Sequence, residues 1–162
     1  MAKKIEPLRG LVSLWSRPGF LVRRLHQISV AIFSDEMSDL QITPVQFGAM
    51  SIAGVNPGID QSTLGEELGT DRANTADVVT RLVKNGLILR TVSPKDRRVR
   101  RIYLTKPGLD VVLEANSRLT LIQTRLLAPL KPQDRAVFVT LMSDLIEANN
   151  SLGRTALRLK AR

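Results

Sequence analysis

The sequence predicts a mainly α-helical protein with one small β-hairpin. Helices are indicated by apolar residues that recur every three or four positions along most of the 162-residue chain. The hairpin is indicated by the alternating run LILRTV at 87–92, a turn at Pro94 and Asp96, and a second alternation through Ile102 and Leu104. A hydrophobic content of 43% is enough to bury a core, so we expect one domain, or one core with helical extensions.

The first two helices are predicted from the positions of prolines and caps. A helix with Pro18 in its first turn carries apolar residues at i, i+4, i+7 and i+11, which gives it one face that needs a packing partner. Those residues are Leu21, Leu25, Ile28 and Ile32. A short second helix has Thr43 as its N-cap and Pro44 as its first residue, and it ends at 56–58, where the sequence is Asn-Pro-Gly.

Two further helices, separated by only a few residues, predict a helix-turn-helix. The first contains Leu64 and Leu68 and ends at Gly69, and the second, the reading helix at 71–85, opens at Asp71. An apolar stripe on the reading helix is formed by Val79, Leu82 and Val83. The polar residues on the same helix are Arg72, Asn74, Thr75, Asp77, Arg81 and Lys84. We therefore expect one face to pack and the other to remain free for contact.

Two long amphipathic helices are predicted after the hairpin. The tripeptide Lys-Pro-Gly at 106–108 is expected to break the chain, and the first long helix follows at 109–130. The second, at 131–159, starts beside a pair of prolines and has Asp134 in its first turn. The basic tail at 154–162 is expected to fray.

The tip of the hairpin carries a strong positive charge. Residues 95–101 contain five basic side chains and one acid, a net charge of +4 (5 − 1) on a chain of net charge +9. Burying this charge unpaired would cost many kcal/mol, so the tip must face water or an anion. A solvated loop is one interpretation. The other is a winged helix-turn-helix on DNA, because the reading helix fits the major groove and arginine is attracted to the minor groove.

The composition argues against several other classes of protein. The absence of cysteine excludes disulfides, thiolate zinc sites and cysteine nucleophiles, and it suits a reducing compartment. With one histidine and no G-x-S-x-G, H-E-x-x-H or Walker motif, we expect no enzyme and neither a metal nor a cofactor. The first 15 residues lack a signal-peptide pattern, and no stretch reaches the roughly 18 apolar residues of a membrane helix. The sequence thus predicts a cytoplasmic protein with no membrane contact.

The order of these motifs resembles the MarR family of bacterial transcriptional regulators over nearly the whole chain. The resemblance is carried by TLGEELGTDRANTADVVTRLVKNGLILR at 63–90 and SPKDRRVRRIYLT at 93–105. Its most specific part is the D-x-R of the wing, Asp96 and Arg98. It implies an obligate dimer that binds a pseudo-palindromic operator, with reading helices in adjacent major grooves and each wing in a minor groove.

The resemblance also implies a division of the chain. Residues 1–42 and 106–162 would form a helical dimerisation region, and 43–105 would form the winged helix-turn-helix DNA-binding region. Apolar residues of the C-terminal helices support a dimer, because a lone chain would cover them poorly. They are Leu119, Leu126, Val137, Leu141 and Leu145. Two-fold symmetry would place the paired reading helices about one turn of DNA apart, roughly 34 Å.

Candidate DNA-binding residues lie on the reading helix and the wing. Arg98 is the predicted wing-tip residue, and Asp96 is expected to hold either Arg98 or the hairpin by a charge-assisted hydrogen bond. Arg97 and Arg100 are expected to contact phosphates. Residues near the start of the reading helix can reach base edges, and these are Arg72, Asn74, Thr75 and Asp77. Arg81 either contacts DNA or pairs with Asp77 at i, i+4.

A candidate effector site lies on the first helix around His26, the only histidine. One interpretation is a packed or partly exposed histidine with no special role, with the neighbouring arginines as ordinary surface charge. The resemblance implies instead a pocket, between the dimerisation helices and the winged helix, for an aromatic carboxylate, a phenol or an aryl-coenzyme A thioester. Its candidate anion-binding residues are Arg23, Arg24 and His26. Its candidate apolar walls are Trp15, Phe20, Phe47 and Met50.

These observations predict a sequence-specific transcriptional regulator. We expect a repressor that a small aromatic acid or related ligand releases from a palindromic operator, with activation as an alternative outcome of the same linkage. The other alternative is an architectural protein that binds duplex DNA without sequence preference or effector. Single-stranded RNA is a poor fit, because aromatic residues make up only 4% of the chain and leave few platforms for base stacking.

Overall fold

The computed structural model describes residues 14–153 and 155–157. Six α-helices and three β-strands follow one another in that part of the chain, and short 3-10 turns lie at Leu14–Ser16 and Asn150–Leu152. The elements are α1 (Pro18–Glu36), α2 (Pro44–Val55), β1 (Ile59–Asp60), α3 (Gln61–Leu68), α4 (Arg72–Lys84), β2 (Ile88–Val92), β3 (Arg100–Leu104), α5 (Lys106–Leu127) and α6 (Pro132–Asn149). The predicted fold class, mainly α with a small β-hairpin wing, is confirmed.

The predicted start of α2 is confirmed in detail. The hydroxyl of Thr43 accepts a hydrogen bond from the backbone N–H of Gln46 at 3.3 Å. In return, the side-chain oxygen of Gln46 accepts one from the backbone N–H of Thr43 at 2.9 Å. Pro44 occupies the first turn, where its missing N–H is not needed. This reciprocal capping box fixes where α2 begins.

The helix-turn-helix is formed by α3 and α4, and its ends are set by local chemistry. Asp60 caps α3 by accepting the backbone N–H of Thr63 at 2.9 Å. Gly69 ends α3 in the left-handed region at φ 66°, which favours glycine. Asp71 then caps α4 by accepting the backbone N–H of Asn74 at 2.8 Å. The predicted break at Gly69 and the predicted start of the reading helix are both confirmed.

The three strands form one antiparallel sheet in the order β1-β3-β2. In the hairpin, Leu89 pairs with Tyr103, and Ile59 of β1 pairs with Ile102 on the other side of β3. Strand β1 was not predicted, because a strand of two residues is too short to show an alternating pattern. It joins the start of α3 to the wing and so fixes the position of the hairpin beside the helix-turn-helix.

The core lies between the helix-turn-helix, the sheet and α5. Its fully buried side chains include Met50, Leu64, Leu82 and Ile102. Ala115 and Ile122 bring α5 into the same core cluster. Helices α1 and α5 are further joined by ion pairs on their surface.

Arg118 of α5 pairs with Asp39, which lies in the turn after α1. Its guanidinium donates to both carboxylate oxygens of Asp39, at 2.6 and 2.9 Å, and also to Glu114. The hydrogen bond with Arg118 holds the pKa of Asp39 below its usual value, and the hydrogen bonds with Asp39 and Glu114 raise the pKa of Arg118. Arg125, two turns further along α5, pairs with Asp35 of α1 at 2.8 Å. These contacts hold the middle of α5 against the end of α1.

The start of α5 corrects one prediction. The tripeptide at 106–108 was expected to break the chain, but it forms the first turn of α5. Thr105 caps this turn by accepting the backbone N–H of Gly108 at 3.1 Å, and Pro107 stands where a free N–H is not required. Gly108 permits a close approach, because a Cβ atom there would lie 2.0 Å from the carbonyl oxygen of Leu87.

The end of α6 corrects a second prediction. The helix was predicted at 131–159, but it ends at Asn149. The prediction that Asp134 lies in its first turn is confirmed. The predicted fraying of 154–162 concerns mostly residues outside the described part. Among the described residues, no helix is long and apolar enough to cross a membrane.

The C-terminal helices leave apolar side chains exposed. Val137, Leu141 and Leu145 of α6 are 55%, 56% and 64% exposed. Leu119 was predicted to be poorly covered in a single chain, but it is partly buried and packs against the core of its own chain. The uncovered apolar surface therefore belongs to α6 more than to α5.

Candidate nucleic-acid interface

Helix α4 has one packed face and one open face, as the sequence predicts. Val79 and Leu82 are fully buried, and Val83 packs against the core. The exposed polar residues of the helix are Arg72, Asn74, Asp77, Thr80, Arg81 and Lys84. The open face therefore carries both hydrogen-bonding and charged groups in water.

Thr75 is the exception, and the prediction that it lies on the open face is wrong. Its side chain is 2% exposed. Its hydroxyl lies 2.8 Å from the hydroxyl of Thr70 and donates to the carbonyl oxygen of Asp71 at 2.8 Å. A Cβ atom on Gly65 would come within 2.7 Å of that hydroxyl, so α3 and α4 are in close contact here. Thr75 stabilises the helix-turn-helix from inside and does not present its side chain to a base.

Two neighbours on the open face are already hydrogen-bonded. The side-chain amide of Asn74 donates to Asp71 at 2.9 Å, which holds Asn74 beside the N-cap of α4. Arg81 pairs with Asp77 at 2.8 Å, one of the two roles expected for it. Both partners of that pair are more than half exposed, and an exposed i, i+4 pair contributes only about 0.3–0.5 kcal/mol. The pair can therefore exchange for a phosphate or a base at little cost.

The wing is a tight turn organised by Asp96. Its carboxylate accepts the backbone N–H of Arg98 at 2.9 Å, and its carbonyl oxygen accepts the backbone N–H of Val99 at 3.0 Å. The backbone N–H of Ser93 donates to the carbonyl oxygen of Val99 at 3.0 Å, which closes the base of the loop. Asp96 was expected to hold either the Arg98 side chain or the hairpin. In the structure it holds the backbone of the hairpin. The Arg98 side chain is exposed at the tip.

Two of the five basic residues of the wing donate to backbone carbonyl oxygens, but only one of them is half-buried. Arg101 is half-buried and donates to the carbonyl oxygen of Gly58 at 3.0 Å, which ties the wing to the loop before β1. Arg100 donates to the carbonyl oxygen of Arg97 at 2.7 Å and remains exposed. Four exposed cations are therefore left for a partner, namely Lys95, Arg97, Arg98 and Arg100.

Asp60 connects the wing and the helix-turn-helix, and sequence reasoning missed it. Burial favours the neutral form of its carboxyl group, but hydrogen bonds from Thr63 and Ser62 and the charge of Arg101 outweigh this effect and lower its pKa. Asp60 therefore acts as a charged N-cap of α3 that also faces the wing. Its partner Arg101 is about 40 residues away in sequence, so no local pattern indicates the contact.

The start of α4 and the wing face one cleft. It has a volume of about 320 Å³ and lies between α3, the first turn of α4 and the wing. Arg72, Arg98 and Arg100 line it together with Asp60 and Glu66. The structure thus brings together predicted DNA-binding residues that are more than 20 positions apart in sequence.

The predicted effector residues fall into two groups. At the start of α1, the rings of Trp15 and Phe20 pack edge to face with centroids 4.9 Å apart, and the guanidinium of Arg23 lies 5.2 Å from the centroid of Phe20. Arg24 donates to Gln27 at 3.2 Å, and His26 is exposed. These residues form a cluster of aromatic and basic side chains in which Phe20 is half-buried and the others are exposed.

The second group is part of the hydrophobic core. Phe47 packs against Phe33, with ring centroids 6.2 Å apart, and Met50 has no exposed surface. Phe20 and Phe33 are 13 residues apart on α1, which is about 20 Å along the helix axis. A small ligand at Phe20 therefore does not reach the pair Phe33–Phe47, so within the described residues these side chains do not form the single pocket wall expected from the sequence.

These features define a winged helix-turn-helix with a cationic wing beside the open face of its second helix. Comparison with known proteins agrees with this class. The family model of the MarR family matches residues 42–99. The PcaV transcriptional regulator of Streptomyces coelicolor, solved in complex with its natural ligand, is 34% identical with a TM-score of 0.78, and the match covers 86% of this chain and 98% of that one.

Two other solved structures are similar over most of their length. The transcriptional repressor CouR, bound to a 23-mer DNA duplex, is 27% identical with a TM-score of 0.74, covering 82% of this chain and 94% of that chain. BpsR of Bordetella bronchiseptica, whose DNA binding is regulated by 6-hydroxynicotinic acid, is 26% identical with a TM-score of 0.76, covering 84% and 97%. The chain belongs to the MarR family, whose members are transcriptional regulators.

Proposed function

We propose that this protein is a sequence-specific DNA-binding repressor that acts as a homodimer on a pseudo-palindromic operator. The observation that carries the proposal is the shared cleft, because Arg72 at the start of α4 and two wing arginines all line it. In this proposal α4 enters the major groove and the wing reaches the adjacent minor groove. CouR, which is bound to a DNA duplex, supports the same use of the fold.

The proposed dimer uses the helices outside the winged helix. Residues 106–162 together with 1–42 would supply the interface, and 43–105 would bind DNA. The exposed apolar residues of α6 support this division, because large uncovered apolar patches are rare on monomers. A two-fold axis through such an interface would present two copies of α4 to successive major grooves.

We assign different roles to the basic residues of the DNA-binding surface. Arg98 at the wing tip is the proposed minor-groove residue, and Arg97 and Arg100 are proposed to contact phosphates. Arg72 and Asn74 are proposed to reach base edges, since each lies exposed in the first turn of α4. Asp77 and Arg81 would join them only after their mutual ion pair opens, and Thr75 is left out because it is buried.

We propose that an aromatic acid or a related phenol or aryl-coenzyme A thioester is the effector. Support comes from the cluster of Trp15, Phe20 and Arg23, which brings two aromatic rings and a guanidinium together. Arg24 and His26 lie exposed on the same helix as Phe20 and Arg23. BpsR, whose DNA binding is regulated by 6-hydroxynicotinic acid, is a relative with an aromatic acid as effector. Binding would favour a dimer whose reading helices have the wrong spacing, and the operator would then be released.

A footprint on the DNA flanking its own gene tests the proposal. We expect protection of one palindromic segment, and competition with a scrambled duplex of equal length should give a preference of about 10³-fold or more at physiological salt. Repeating the assay with aromatic acids and their coenzyme A thioesters tests release. Equal affinity for the natural and scrambled duplexes would instead favour an architectural protein without sequence preference.

A further inference from the structure

The chain after α6 returns to the helix-turn-helix of its own molecule. Asn150, at the start of the last 3-10 turn, holds the backbone of Leu157 at both of its hydrogen-bonding groups. Its side-chain oxygen accepts the backbone N–H of Leu157 at 2.8 Å, and its side-chain amide donates to the carbonyl oxygen of Leu157 at 2.8 Å. These two bonds join Asn150 to Leu157, and we call the described residues 150–153 and 155–157 the strap.

The strap ends against the turn between α3 and α4. The side chain of Leu157 is half-buried, and its Cδ1 atom lies 3.4 Å from the position that a Cβ atom on Gly69 would occupy. Thr155 is also half-buried and lines the cleft that contains Arg72 and Arg98. The strap therefore packs beside the residues where α3 ends and α4 begins.

Helix α6 contributes no buried side chain to the core. None of its residues is buried within the described part of the chain. The hydrogen bonds of Asn150 and the contact of Leu157 therefore connect the end of α6 to the winged helix.

We propose that Asn150 and Leu157 are positioning residues that tie the orientation of α4 to the end of α6. This inference rests on the proposed DNA-binding function. Two reading helices can occupy one operator only if their spacing and direction match successive major grooves. A strap that restricts these orientations before binding reduces the conformational entropy lost on binding. Phosphate contacts with random DNA depend far less on this alignment.

Two matched pairs of variants test the proposal. Leu157→Ala removes the contact with Gly69, and Leu152→Ala is its control on the same segment, because Leu152 is 80% exposed. Asn150→Ala opens the strap, and Asn149→Ala is its control, because the Asn149 side chain donates only within its own helix, to Leu145 at 2.8 Å. Leu157→Met is the conservative rescue of the apolar contact.

Operator affinity is the first measurement, with the footprinted promoter fragment and a scrambled duplex as probes. Leu157→Ala and Asn150→Ala should each lower affinity for the promoter fragment about fivefold and leave affinity for the scrambled duplex unchanged. The two controls and Leu157→Met should behave like the wild type. Promoter affinity equal to the wild type in both test variants overturns the inference, and higher affinity overturns it in favour of a strap that blocks DNA.

Hydrogen exchange without DNA is the second measurement. The backbone N–H groups of Gly69 and Thr70 bond to Glu66 and Gly65 in the turn that the strap covers. Leu157→Ala should speed exchange of the peptide 65–72 relative to Leu152→Ala. Unchanged exchange would show that Leu157 does not stabilise the turn at Gly69. If the wild type shows no promoter preference, the proposed function fails, whereas the exchange result still decides whether the strap holds the turn.

Discussion

Thr75 of α4 is a polar residue that packs inside the helix-turn-helix. It precedes Val79 by four residues and Leu82 by seven, so helical geometry places it on the packed side of α4. The spacing predicts a packed residue, whereas the polar side chain alone favours the open face. The hydroxyl satisfies its hydrogen bonds inside the helix-turn-helix, which is why a polar residue is tolerated there.

Replacing Thr75 should therefore affect stability. Thr75→Val keeps the shape of the side chain but leaves Thr70 without its hydroxyl partner, and we expect a loss of about 1–3 kcal/mol in the free energy of unfolding. Urea unfolding measures this loss, and Thr75→Ser, which keeps the hydroxyl, is the control. A stable Thr75→Val protein with altered base preference would restore Thr75 to the reading surface.

Arg98, unlike the buried Thr75, is exposed at the tip of the wing. Arg98→Ala should weaken promoter binding, and the slope of log affinity against log salt should fall by about one, because one cation fewer displaces counterions. Folding should be unaffected, because the bond to Asp96 comes from the Arg98 backbone. Arg24→Ala makes the same charge change on α1 and should leave the slope unchanged. An unaltered slope for Arg98→Ala would exclude its contact with DNA.

At the scale of elements, predictions succeeded where the determinants are local. The capping box at Thr43 and the glycine that ends α3 depend on residues within a few positions, and both are readable from the sequence. Strand β1 and the contact of Arg101 with Gly58 depend on groups 43 residues apart, so no local pattern could reveal them. The first turn of α5 was missed because Lys-Pro-Gly resembles a break, although proline also suits the start of a helix.

The stability of the region where β1, α3 and the wing meet should depend on pH through the carboxyl group of Asp60. Since folding lowers the pKa of this carboxyl group, its charge stabilises the fold at pH values above its ordinary pKa of about 3.9. That contribution is lost as the pH falls through the lower pKa of the folded state. Asp60→Asn keeps a good N-cap but removes the charge, so we expect it to cost about 0.5 kcal/mol at neutral pH.

The free energy of unfolding in urea, measured from pH 6 down to pH 2, checks this expectation. The difference between wild type and Asp60→Asn should shrink towards the acid end of this range. Asp60→Ser, which also caps without charge, is the control and should follow Asp60→Asn. A difference that stays constant with pH would show that Asp60 acts through geometry alone.

At the scale of the whole molecule, the exposed apolar side chains of α6 support the proposed dimer. Val137, Leu141 and Leu145 recur every four residues and are all more than half exposed, so they form one apolar stripe. Leu141→Glu should place a charge in the proposed interface and shift the protein to a monomer, because an unpaired buried charge is costly. Sedimentation or light scattering measures this change, and Thr140→Glu, an exposed neighbour about 100° around the helix, is the control.

Loss of the dimer should carry over to the DNA. A monomer engages one half of a palindrome, so Leu141→Glu should bind the full operator about 100-fold more weakly than the wild type. Its affinity for a single half-site should be unchanged, because the cleft between α4 and the wing lies within one chain. A Leu141→Glu protein that stays dimeric would remove α6 from the interface. A monomer with full operator affinity would show that one winged helix suffices, and the palindrome would then lose its role in recognition.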